Sequence, residues 1–180
     1  MKYLFYCIAF ISLSSFSQSK YLTKTGTVNF EASVPSFEEV KASNNSVTAI
    51  LDAENGELAS LVLVKGFRFK NALMEEHFNE NYAESHKYPK ATFKGQVKDF
   101  NISKIDKSTD LGVNGELTFH GKTKSINDVR VKISRENDFI ILSGNFKTKA
   151  SDFNIEIPKI VRNKIAEDID ISFHFKLKKK

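Results

Sequence analysis

Apolar and polar residues alternate with period two in about eight separate stretches of this chain, which points to antiparallel sheet. "TKTGTVNFEAS" (23–33) puts Val28, Phe30 and Ala32 on one side. "VTAILD" (47–52) and "ELASLVLVKGFRF" (57–69) follow, joined through "AENG", a glycine-bearing turn of the hairpin kind. In the second of these, Leu61, Leu63, Phe67 and Phe69 share a parity, with Lys65 the one charge among them. "KATFKGQVKDF" (90–100) groups Ala91, Phe93, Gly95 and Val97, and "GVNGELTFHG" (112–121) groups Val113, Leu117 and Phe119. "DVRVKI" (128–133) adds Val129, Val131 and Ile133; "FIILSGNFKTK" (139–149) adds Ile140, Leu142 and Phe146. "DIDISFHFKL" (168–177) closes with Ile169, Ile171, Phe173, Phe175 and Leu177. Successive side chains of a strand point to opposite faces, so each stretch has one face to bury and one to leave in water. The three prolines lie outside the strand centres and interrupt no ladder. The expectation is an all-β fold with one or two short helices, its strands forming a sandwich or a closed barrel.

One segment breaks the rhythm. Residues 72–84 are rich in Ala, Leu, Met and Glu, which favour helix. Asn71 is placed to cap it, with Glu75 and Glu76 in the early turns. Leu73, His77 and Asn81 form one stripe, Met74, Phe78 and Tyr82 another. Pro89 disfavours helical backbone at Tyr88 and ends the segment.

The first seventeen residues read as a secretory leader rather than as fold. Lys2 precedes an apolar run from Tyr3 to Phe16, and Ser15-Phe16-Ser17 fits a small-x-small cleavage site. The run falls short of the roughly 20 residues that span a bilayer core. The expectation is therefore an exported protein, periplasmic or secreted, with residues 1–17 removed and 18–180 forming a single domain. Cys7, the one cysteine, leaves with the leader, so no disulfide or thiolate chemistry remains. The 27 Lys and Arg against 22 Asp and Glu are scattered, apart from "KLKKK" at 176–180, read as a solvated end with a weak attraction for anionic membrane surface.

Little in the sequence suggests catalysis. His77 and Glu80, with Glu76 and His86 nearby, are metal-capable types, but the H-E-x-x-H order is missing. The plainer reading is a helix whose Met/Phe/Tyr stripe packs inward while His77 and the acids face water, and no metal is expected. His120 and His174 sit opposite in parity to their neighbouring phenylalanines and should be surface residues. There is no nucleophile elbow, phosphate loop or dinucleotide fingerprint, and an exported, Phe-rich chain reads poorly as a nucleic-acid binder. Sixteen phenylalanines and no tryptophan are more informative. Many stand on the inward face beside Gly95, Gly115 and Gly144, and an eight-stranded barrel of such residues either just fills or encloses one small ligand.

Three stretches carry a family resemblance: "FKNALMEEHFNENYAESHKYPKATFKG" (69–95), "GELTFHGKTKSI" (115–126) and "NFKTKASDFNIEIPKIVRNKIAEDIDISFHF" (145–175). Helix after an early hairpin, Tyr-Pro entry to the next strand, Leu-Thr-x-x-Gly-x-Thr-Lys turn and late Ser-Asp-Phe segment occur in order. The chain thereby resembles the YceI-like family of exported polyisoprenoid-binding proteins. Asn154 stands where many members have Gly after Ser-Asp-Phe, and Asn tolerates the left-handed backbone such a turn needs. The resemblance implies a lipocalin-like antiparallel barrel around a long apolar channel, no catalytic residues, and a bound polyisoprenoid or quinone-like lipid. The 71–84 helix would then cover the barrel mouth. Parity and the family segments together nominate a ligand-facing wall of Phe67, Phe69, Leu73, Met74, Phe78, Phe93, Leu117, Phe119, Phe146, Phe153, Phe173 and Phe175. Expected partners are an amphiphilic apolar-chain lipid and, transiently, a membrane surface, with a homodimer allowed. A cavity enzyme acting on such a lipid, and an envelope protein with a filled barrel, are the alternatives.

Overall fold

The computed structural model describes residues 20–105 and 108–180; the leader and cleavage site expected from the sequence fall outside the described residues. Nine strands form one antiparallel sheet: β1 (Lys20–Ser33), β2 (Lys41–Asp52), β3 (Glu57–Leu63), β4 (Arg68–Phe69), β5 (Lys90–Val97), β6 (Thr109–Phe119), β7 (Lys122–Glu136), β8 (Phe139–Lys149) and β9 (Ile165–Lys179). Eight are ring members. They run β1-β9-β8-β7-β6-β5-β3-β2, and β2 pairs back to β1, so the barrel is closed. β4 is a two-residue stub that pairs with β2 at Ala42 and Ser43, beyond the stretch of β2 that β3 covers. Closure removes the open edges that a sheet would otherwise offer to other chains.

The two ends of the barrel differ. At one end Leu51, Ile133, Ile140, Leu142 and Leu177 are fully buried, locked by the Ile140–Leu177 and Leu142–Phe175 register of β8 and β9. The β2–β3 turn, the β7–β8 hairpin and the C-terminus all lie at this packed end. "KLKKK" is no loose tail: Lys176 to Lys179 continue β9, Leu177 points into the core, and the Lys180 amide bonds Lys20. At the other end stand the β1–β2 loop, residues 64–89, the β6–β7 hairpin and residues 150–164.

Six of the eight expected strands keep their inward parity, and β3 does not. Leu58 and Val62 are buried, whereas Leu61 is half-buried and Leu63 is 50% exposed. Both parities of "ELASLVLV" are apolar, so alternation alone cannot choose between them. A tight 3-10 turn at Val64–Gly66 then resets the phase and turns Phe67 and Phe69 inward. Lys65 sits exposed on that turn, outside the barrel, with its ammonium 3.4 Å from His86. β2 also begins six residues earlier than its apolar run, in the polar stretch "KASNNS". Asn44 lets this happen: fully buried, it donates from Nδ2 to the Leu63 carbonyl at 2.9 Å and accepts the Ser46 amide at 3.0 Å.

The interrupting segment is shorter as an α-helix than its composition suggests. α1 (Ala72–His77) starts at Asn71, whose side chain accepts the Leu73 amide at 2.9 Å. It then widens into a π-helical turn at Phe78–Tyr82, closed by the bond from the Ala83 amide to the Phe78 carbonyl.

A hollow end under a helical cover

Above the packed half, the barrel interior is hollow and lined mainly by apolar side chains. An outer chamber of about 370 Å³ lies under α1. A narrower inner chamber of about 70 Å³ continues it toward the packed core. Val28, Val62, Ala91, Leu117, Phe146 and Ile171 border both chambers, so the two are successive parts of one dead-ended space. The filled-barrel alternative does not describe this interior. Depressions on the outer wall, including one between β6, β7, β8 and β9 lined by Lys98, Asp110, Arg130 and Lys132, are more open and carry charged side chains.

Eleven of the twelve nominated residues border this space. Phe67, Phe69, Met74, Phe78, Leu117, Phe119, Phe146 and Phe153 line the outer chamber. Phe93, Phe173 and Phe175 line the inner one, with Leu117 and Phe146 again. Leu73 does not: it is 57% exposed on the far side of α1, because Met74 and Phe78 take the inward stripe. Sequence reasoning left out Phe30, Tyr82, Ile155, Ile157 and Val161, which also line the outer chamber. The alternation of Ile155 and Ile157 was a legible signal, masked by the proline that follows.

The glycines beside the phenylalanines do not hold the cavity open. Rings lie against them. A Cβ on Gly95 would meet the Asn114 carbonyl at 2.5 Å and the Phe93 ring at 2.7 Å, and one on its cross-strand partner Gly115 would meet Phe93 at 2.5 Å. Gly144 receives the Phe173 ring in the same way, at 2.8 Å. These close approaches flatten the aromatic rings onto the wall and leave a narrow inner chamber.

Two lips frame the mouth. On one, Phe78 of the π-turn packs on Phe30, Phe67 and Phe69, with centroids 5.2, 5.8 and 5.2 Å away. Such aromatic pairs add about 0.5–1.5 kcal/mol each beyond area burial. On the other, Phe153 meets Phe119 edge-on at 5.7 Å. Asp152 anchors that lip, bonding Lys124, the Lys149 amide (2.9 Å) and the Thr148 hydroxyl (3.2 Å). The bond from Lys124 holds the Asp152 carboxyl below the usual carboxylate range, helped by the Lys149 amide and opposed by partial burial. Asn154 ends the turn in left-handed backbone, φ 56° and ψ 33°, as its residue type allows.

His120 joins the lips and is not the surface residue that parity implied. Its side chain is 11% exposed, Nδ1 lies 2.9 Å from the Phe153 carbonyl, and Nε2 lies 2.8 Å from Glu84 beyond the π-turn. Tyr88 packs on its ring at 4.5 Å. The parity rule fails here because the chain is already turning: His120 and Gly121 both have positive φ, so the side chain no longer follows β6. His174 is exposed, and His77 stands exposed at the rim of the outer chamber. Among the described residues no three His, Cys, Asp or Glu side chains converge as a metal site would require.

The chain matches the YceI-like domain family over residues 19–177. No curated protein matches it. Among solved structures, a polyisoprenoid-binding domain from Saccharophagus degradans is similar at a TM-score of 0.77 and 15% identity, covering 91% of this chain and 99% of that one. BcnA of Burkholderia cenocepacia is similar at 0.68 and 18%, covering 84% and 95%. A mutant of a Campylobacter jejuni YceI protein, with a monobromobimane guest, is similar at 0.65 and 20%, covering 82% and 89%.

Proposed function

The chain belongs to the YceI-like domain family, and from that premise we propose that it is an exported binding protein that holds an isoprenoid-type chain, such as a quinone tail, inside the barrel. The observation that carries this reading is the dead-ended apolar space running from the helix-covered mouth to Phe93 and Phe173. The family and the polyisoprenoid-binding relative favour binding over catalysis. Export rests on the leader-like first seventeen residues.

Capacity sets the mode of binding. A cavity of about 150 Å³ takes up one benzene. On that scale chambers of about 370 and 70 Å³ accept roughly 15–18 carbons, about three isoprene units. A longer tail would run back out between the lips, leaving its headgroup among the polar side chains that line the outer chamber, Glu38, His77, Tyr82, Thr148 and Lys164. Burial at about 0.8 kcal/mol per CH₂, gross, supplies ample drive even after the costs of association.

Native mass spectrometry of the purified protein with lipid extraction tests the reading directly, and a blocking variant tests the location. Ala91 borders both chambers, so Ala91→Phe should lower affinity for farnesol, a fifteen-carbon isoprenoid alcohol, at least tenfold in a barrel that still shows strand circular dichroism. Equal affinity in the folded variant would place the lipid elsewhere.

A further inference from the structure

We propose that the hollow end of the barrel docks on a bilayer containing anionic lipid, with the 155–164 loop as its contact point, so that the mouth opens against the membrane. The inference rests on the reading of the cavity as an apolar-chain site. Its own observation is where the exposed apolar side chains are. Among the described residues four large hydrophobics are exposed: Phe37, Leu63, Leu73 and Ile160. All four belong to the hollow end. Phe37 is on the β1–β2 loop and itself borders the outer chamber, Leu63 ends β3, Leu73 is on α1, and Ile160 is on the 155–164 loop. The packed end exposes none.

The loop has the chemistry of an interfacial finger. Its tip is a tight turn closed by the bond from the Val161 amide to the Pro158 carbonyl at 3.0 Å, with Lys159 and Ile160 at its centre. Ile160 is 85% exposed, an arrangement water disfavours and an acyl boundary favours. Lys159, Arg162 and Lys164 flank it against a single acid, Glu156, which gives the loop the sign that anionic headgroups attract. Of the acids at this end, Glu38, Glu39, Glu76 and Glu80 stand on the β1–β2 loop and the helical segment. Glu31, Glu75, Glu84, Asp152, Asp168 and Asp170 are each paired with a basic side chain, which leaves Glu167 at the start of β9 as the exposed acid beside the loop. On the inner side of the same loop Ile155, Ile157 and Val161 line the outer chamber, so the segment that touches the membrane is also a wall of the entrance. A lipid could pass from bilayer to barrel without exposing its chain to water. The basic C-terminal strand end is at the packed end and would face away.

The absence of tryptophan gives a clean reporter. In Ile160→Trp, emission should shift to the blue when vesicles of phosphatidylcholine with one third phosphatidylglycerol are added, and brominated lipid should quench it. The same residue introduced by Lys178→Trp, at the packed end, should not respond. Ile160→Ser should slow transfer of a fluorescent farnesyl probe from these vesicles at least tenfold while leaving its uptake from dilute ethanol unchanged, and Lys159→Glu with Arg162→Glu should abolish the preference for anionic vesicles. An unshifted Ile160→Trp signal, or equal transfer by Ile160→Ser, overturns the docking. If the wild-type protein binds vesicles yet takes up no probe from ethanol, the cavity reading fails instead, which the vesicle signal alone would not reveal.

Discussion

Asp152 is the residue whose removal has the most foreseeable effect on the mouth. Its carboxylate accepts from three groups at once, and hydrogen bonds to charged groups are worth about 1.5–3 kcal/mol each in mutational terms. Asp152→Asn should therefore lower stability by roughly 1–3 kcal/mol at neutral pH in urea melts. The sign of the pH dependence follows from the depressed folded pKa. The folded state prefers the ionised form, so the stabilisation is full at neutrality and begins to fade as pH falls through the ordinary aspartate value near ~4. It is gone below the folded value. The wild-type advantage over Asp152→Asn should thus shrink from about pH 5 downward. Gly95 makes a different forecast. Because its nearest neighbour is the fixed carbonyl of Asn114, Gly95→Leu should not yield a folded, blocked barrel. It should cost at least the 1–3 kcal/mol typical of overpacking, seen as a lower urea midpoint or as insoluble protein. A variant as stable as wild type would mean that the Asn114 backbone gives way as well as the Phe93 ring.

The helical cover is the element with the least support of its own. α1 has six residues, far below the length at which an isolated helix holds in water, so it is held by tertiary contacts. These are the packing of Phe78 on the aromatic lip and Glu75, which accepts from Arg68 and the Phe69 amide. Phe78→Ala should raise hydrogen exchange of the 72–85 amides at least tenfold, with β7 and β8 unchanged and only a modest shift in global melting. Uniform acceleration through the barrel would show instead that the cover and the strands unfold together. The helix was legible in the sequence, including its Asn71 cap and its Met74–Phe78–Tyr82 stripe. Its π-widening was not, since no residue type specifies it. Strand parity was legible wherever one face was polar, as in β7 and β9, and failed in β3, where Leu58, Val62, Leu61 and Leu63 offered apolar choices on both faces. His120 escaped for a related reason: alternation describes residues inside a strand and says nothing of one already in the turn.

Across the whole molecule, one half of the barrel supplies stability and the other leaves it unclaimed for a guest. Strand number and alternation left a sandwich and a closed barrel both open, the family resemblance pointed to the barrel, and the boundary between full and hollow was not legible at all. That boundary depends on where rings settle against Gly95, Gly115 and Gly144 in three dimensions. It makes a prediction about chain length. In calorimetric titration of prenyl alcohols, affinity should climb from ten to fifteen carbons and then level off, because further carbons lie outside the chambers. A steady rise through twenty carbons and beyond would mean that the packed end yields. The dead end has a kinetic consequence as well. With a single doorway, a newcomer cannot push the resident out from behind. The resident must back out before the doorway is free, so replacement follows a strict queue. The rate at which a fluorescent guest is lost should therefore be independent of how much competitor is added, at a ceiling set by the opening of the lips.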